Sequence, residues 1–172
     1  ESDIHEGWRE HKESGGVVID TKTNEVVARG LCMPHSPRWH NDTLYVIESG
    51  RGRFGKINLA DGSFEEICFC PGYARGLSFV GDYALIATSK PRDNQKAFKG
   101  LPIHEAMAEK NVSPRCGVMV VDLKTGDTVH TLTFDGIVVE LFDVEVLRNT
   151  TNPHLIGFKN DEIRRILTID DR

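Results

Sequence analysis

Two kinds of chemistry are open to the polar side chains of this 172-residue sequence. His35, Arg38, Arg75, Lys90, Arg92, Arg115 and Lys159 carry donors that can hold an anionic or polar ligand through charge-assisted hydrogen bonds. Glu48, Asp143, Asn160 and Asp161 offer the hard oxygen atoms that Ca2+ or another divalent cation prefers. Covalent catalysis has less to build on. Ser36 and Ser49 lie in no Gly-x-Ser-x-Gly turn. Cys32, Cys68, Cys70 and Cys116 include no Cys-x-x-Cys pair and read as small buried thiols in a reducing compartment. Apart from the divalent cation, no cofactor is expected.

These side chains are far apart along the chain, so a repeating framework must gather them. Three segments superimpose: residues 16–27, 55–64 and 117–129. Each is a short apolar strand, an Asp or Asn at its end (Asp20, Asn58, Asp122), a turn carrying Asn24, Gly62 or Gly126, and a second strand. Those turn residues tolerate the positive φ of a tight hairpin. Between the copies a second strand–turn–strand unit recurs at residues 35–49, 75–89 and 142–158. Ser49 and Ser89 are 40 residues apart, and four short strands in roughly that length is the period of a β-propeller blade.

The expected fold is therefore all-β: a propeller with about three to three and a half four-stranded blades in this chain, part of a six- or seven-bladed ring. A β-sandwich also suits many short strands, but the alternation of two hairpin types favours the propeller. Within one domain, residues 1–14 form an N-terminal extension, 15–31 half a blade and 34–70 a blade. Residues 74–134 form a blade with an insertion at 90–115 that holds a short helix, Ile103 to Lys110, and 141–170 form an incomplete blade. An insertion in one loop of a repeat tends to sit on the binding face.

The runs Met33-Pro-His-Ser-Pro-Arg-Trp39, Ser89-Lys-Pro-Arg92, Arg115-Cys-Gly117 and Gly157-Phe-Lys-Asn-Asp-Glu-Ile-Arg164 resemble a bacterial family of conserved hypothetical proteins of unknown function. The resemblance implies a propeller-like fold, and the chain is similar to the C-terminal half of members about twice its length. Val17-Val-Ile-Asp-Thr-Lys-Thr-Asn24, followed by Pro34-His-Ser-Pro-Arg-Trp39, also looks like the YVTN-type propeller repeat. Fold alone confers no function.

Propeller geometry sends the connections between blades and those between the second and third strands of a blade to one rim. That rim would collect His35, Glu48, Arg75, Lys90, Arg92, Arg115, Glu140, Asp143, Lys159, Asn160 and Asp161, with Arg38 close by. His35 and Arg75 would hold equivalent places beside the central channel. A structural ion pair between Arg75 and Asp143 and a structural hydrogen bond for His35 suit the same positions. Trp8, Trp39, Phe79, Phe142 and Phe158 read as blade packing rather than as a stacking platform.

The first functional expectation is a scaffold whose rim binds a small polar or anionic ligand or a protein. The alternative is a metal-dependent lactonase or esterase-like hydrolase of the gluconolactonase type, in which a cation polarises a carbonyl and activates water. Self-association through open blade edges is expected as well: Ile163 to Ile169 lack a following partner strand, and hairpin 15–31 lacks its inner strands. A net charge of −5 argues against nucleic acid as partner. No apolar run approaches the roughly 20 residues of a membrane span. No signal peptide is visible, so the cytoplasm is the expected location.

Overall fold

A computed structural model describes residues 4–91, 99–153, 159 and 161–164. Among these described residues, ten strands form three antiparallel sheets. β1 (Gly16–Ile19) and β2 (Val26–Leu31) make a two-stranded hairpin. β3 (Pro34–His40), β4 (Thr43–Glu48), β5 (Arg53–Ile57) and β6 (Phe64–Phe69) pair in chain order as a four-stranded sheet. So do β7 (Tyr73–Val80), β8 (Tyr83–Ser89), β9 (Gly117–Asp122) and β10 (Thr128–Thr133). One short helix, α1 (Ile103–Glu109), lies in the insertion between β8 and β9. None of the sheets closes on itself.

Three turns share one hydrogen-bond pattern. The Asn24 N–H donates to Asp20 O, Gly62 to Asn58 O and Gly126 to Asp122 O, each at 2.8 Å. The Asp20, Asn58 and Asp122 N–H groups close the loops on Glu25, Ser63 and Asp127 O, each at 2.9 Å. In each loop the side-chain oxygen of Asp20, Asn58 or Asp122 also accepts the N–H two residues on. This is why a short oxygen-bearing side chain ends the first strand and a residue at positive φ begins the second. Gly62 and Gly126 are further constrained. A Cβ at Gly62 would stand 2.6 Å from Val27 O, and one at Gly126 2.8 Å from Ile67 O. Each turn is thus tucked against the outer strand of the preceding sheet.

Packing follows from strand alternation. On β4, Leu44 and Val46 face the hairpin, where they meet Val18, Ala28 and Leu31. Tyr45 and Ile47 face the other way and meet Leu77, Ile86, Met119 and Val121 of the next sheet. The middle sheet is therefore apolar on both sides. β3 and β7, the first strands of the two large sheets, also touch. Ser36 Oγ donates to Arg75 O at 2.5 Å, and the His40 ring stacks on Phe79 with centroids 4.3 Å apart. Both strands are bulged here, β3 between His35 and Arg38 and β7 between Ala74 and Gly76.

The last expected unit differs from its sequence reading. Residues 142–146 form no strand. Yet this segment lies against β7, since a Cβ on Gly76 would come within 2.6 Å of the Asp143 carbonyl carbon and the Val144 nitrogen. Leu141 is pinned through both its N–H and its C=O to Ser89 Oγ, at 3.0 and 3.1 Å. The expected return strand at 154–158 lies outside the described residues, and Asp161–Arg164, at the start of the expected final strand, is a 3-10 turn. Trp39 and Phe142 are exposed rather than packed into a core.

Substituting Gly62 with Ala combines a left-handed backbone with the Val27 O clash, whereas Gly81, also at positive φ, has open space around it. Gly81→Ala is expected to cost about 1 kcal/mol and Gly62→Ala clearly more, read as urea midpoints at constant slope. Equal costs would mean that the turn does not pack on β2.

Candidate functional site

Glu48 ends β4 with a carboxylate that is 0% exposed. One oxygen accepts the Cys32 N–H at 2.7 Å and the Arg51 guanidinium. The other accepts Arg53 through its Nε at 3.0 Å and through a terminal nitrogen. A buried charge survives only when it is paired and hydrogen-bonded in this way. Arg51 continues to Glu13 O at 3.0 Å, joining the N-terminal extension to the same knot. Above it lies the insertion. Leu101, Ile103 and Met107 pack with Cys32 and Tyr73, and the Tyr73 hydroxyl and His104 Nε2 share a hydrogen bond of 2.9 Å. A Cβ on Gly52 would meet the Ile103 side chain at 2.9 Å. Glu48 was expected on an open rim, but the insertion covers that part of it, and the carboxylate serves as an internal anchor.

The residues that do come together are those of the inner strands. Arg75 on β7 pairs with Glu140 at 3.7 Å, not with Asp143, and its guanidinium lies 5.0 Å from the centre of the Phe142 ring. Asp143 instead faces Arg38 of β3 at 3.9 Å. The two pairs differ in character. Arg75 and Glu140 are 18% and 7% exposed, while Arg38 and Asp143 are 41% and 64% exposed. Ser78 Oγ donates to Glu145 at 3.2 Å farther along the same groove of strands. Burial, and then the Arg75 charge, hold His35 below the ordinary histidine value, so the neutral ring is favoured.

Other expected contributors lie elsewhere. Lys90 pairs with Asp135 at 3.8 Å, and Arg115 stands exposed beside the end of β9. Lys159 is exposed, and Asp161 pairs with Arg164 at 3.6 Å. Arg92 and Asn160 are outside the described residues. Among the described residues no group of three or more His, Cys, Asp or Glu side chains is placed to hold a metal ion. Burial pushes the Cys32 thiol up to about 11, which leaves it a poor nucleophile. The arrangement around Arg38, His35 and Arg75 places two guanidinium groups and an imidazole near one another.

Glu140 is the partner that spacing misassigned. Asp143 aligns with the repeat, but the irregular path of residues 139–143 brings Glu140 to the guanidinium instead. Charge alternation in Glu48-x-x-Arg51-x-Arg53 was a legible signal for the buried knot. The chain belongs to the DUF4915 family, a domain of unknown function whose members match residues 1–156. This accords with an uncharacterised family. No curated protein matches the sequence.

Two measurements probe these groups. Glu48→Ala strands two arginines and is expected to cost about 3–5 kcal/mol of stability in urea unfolding, which a solvent-facing carboxylate would not. His35 binds its proton less readily folded than unfolded. Its contribution to stability is complete above about pH 6.5 and is lost as pH falls through that unfolded value toward the folded one. His35→Gln should flatten the slope of stability against pH below about 6.5, and an unchanged slope would rule out a buried neutral imidazole.

Proposed function

We propose that this chain is a segment of a β-propeller and that its inner strands hold a small polar or anionic ligand at the mouth of a central channel. The propeller reading is supported by two successive four-stranded meanders of the same order, by the contact of innermost strand β3 with innermost strand β7, and by turns that each lean on the preceding sheet. In the repeat alignment His35, Arg75 and Phe142 are equivalent positions, and these neighbours meet in that order across successive units.

The observation that carries the ligand reading is the contrast between two neighbouring ion pairs. Arg75 is held in place by Glu140 and Phe142 and serves as a fixed positive wall. Arg38 is the mobile donor: its 3.9 Å contact with exposed Asp143 is loose and worth little in water, so an incoming anion replaces it at small cost. Neutral His35 adds a hydrogen-bonding group that does not repel a cationic or hydroxylated part of the ligand. A guanidinium suits carboxylate or phosphate oxygens through paired donors.

Titration calorimetry with inorganic phosphate tests this. Binding to the intact chain should weaken about tenfold in Arg38→Ala, with an unchanged melting temperature because the lost ion pair is exposed. Equal phosphate binding by chain and variant, or no binding by either, would refute the assignment.

A further inference from the structure

All six residues of β10 are exposed, unlike those of any other described strand, and among the described residues only its β9 side carries a ladder. The Phe134 N–H donates to Cys116 O at 2.9 Å, and Leu132 and His130 stand opposite Val118 and Val120. Alternation along an antiparallel ladder then turns the N–H and C=O groups of Val129, Thr131 and Thr133 toward the free edge. Proteins usually blunt such edges with lysine, proline or an inward charge. The corresponding outer strand of the first sheet, β6, carries Glu65 and Glu66, and the β9–β10 turn leans on it. The sequence of β10, Thr-Val-His-Thr-Leu-Thr, contains none of these residues, and its bulge lies at the start of the strand, between Thr128 and His130, leaving the ladder from His130 to Thr133 regular.

Two further features lie near this strand. A groove of about 260 Å³ runs from Thr131 and Leu132 across Met119 of β9 to Thr88 of β8, with Phe69 and Arg115 also in its lining. Arg115, next to the Phe134 end of β10, and Asp127, at its start, are exposed and have no ion pair among the described residues.

We propose that β10 pairs antiparallel with the β10 of a second copy of this chain, joining two four-stranded sheets into one. An antiparallel pair centred on the strand brings the Asp127 end of each copy to the Arg115 end of the other. Arg115 and the added strand are then two strand spacings apart, about 10 Å, a gap that an arginine and an aspartate side chain bridge together. Asp135 lies at the same end, where an exposed contact with Lys90 at 3.8 Å offsets part of its repulsion of the incoming Asp127. Within the strand no carboxylate or ammonium faces its like across the pair. β10 is the strand of its sheet farthest from β7, so pairing leaves the Arg38 and Arg75 region open. The proposal stands independently of ligand binding there.

Sedimentation velocity of the whole chain decides it. A six-residue strand pair is a small interface, so a dimer should form with a micromolar dissociation constant and predominate at about 100 µM. Thr131→Pro removes an edge-facing donor without touching the β9 ladder and should weaken association at least about tenfold. Arg115→Asp and Asp127→Arg should each weaken it similarly, and the double variant should restore it; this cycle decides the matter if the proline variant does not fold. A monomer at about 100 µM would overturn the proposal. A dimer indifferent to the charge reversals would also overturn it, because association would then use another face.

Discussion

The architecture depends on sheets that are apolar on both faces. A strand such as β4 places Leu44 and Val46 on one side and Tyr45 and Ile47 on the other, and neither set is left in water. A sheet of this kind is stable only between two other layers. The hairpin covers one face and the second large sheet covers the other. The polar consequences follow from this stacking. Edges and turns carry the hydrogen-bonding groups, and the inner strands, brought side by side, present polar residues from successive units to one another. The second sheet continues the logic, since Val80, Leu132 and the apolar residues Ile137 to Val139 remain exposed beside it.

Within that frame the insertion decides which polar groups stay in water. A loop of this length in a repeat is ordinarily a recognition surface. Here Leu101, Ile103 and Met107 form a small core of their own over the β4–β5 connection. Covering Glu48 withdraws its carboxylate from water, and that is tolerable because Arg51, Arg53 and the Cys32 N–H supply donors to both oxygens. The close approach of Ile103 to Gly52 and of Cys32 to Gly50 leaves no room for side chains at those two positions. Arg38 and Asp143, beside β3 and β7, by contrast keep their charges at the surface.

The surface beside β3 and β7 combines charged and hydrogen-bonding groups. Its nitrogen-bearing groups are graded by exposure and charge: Arg75 is largely buried, Arg38 is more exposed, and the surroundings of His35 favour its neutral ring. Such grading separates a structural ion pair from an exchangeable one within a few residues. The bulges in β3 and β7 lie where the two strands touch, and there Ser36 reaches the Arg75 carbonyl.

Local chemistry was legible in the sequence wherever neighbours along the chain settle it. The hairpins with Asp20, Asn58 and Asp122 at their entrance, the two four-stranded units and the short helix after Pro102 all follow from turn residues and alternation. Partnership across the chain was not. Glu140 rather than Asp143 meets Arg75, because residues 139–143 take an irregular path pinned by Ser89. Residues 142–146 have the composition of a strand, yet a strand is defined by a ladder with a neighbour, which composition does not contain. Likewise nothing local to Glu48 says that a helix some 55 residues later will lie above it. Turn geometry and strand alternation are nearest-neighbour properties, whereas burial and charge pairing depend on which distant surfaces meet, and only the folded chain decides that.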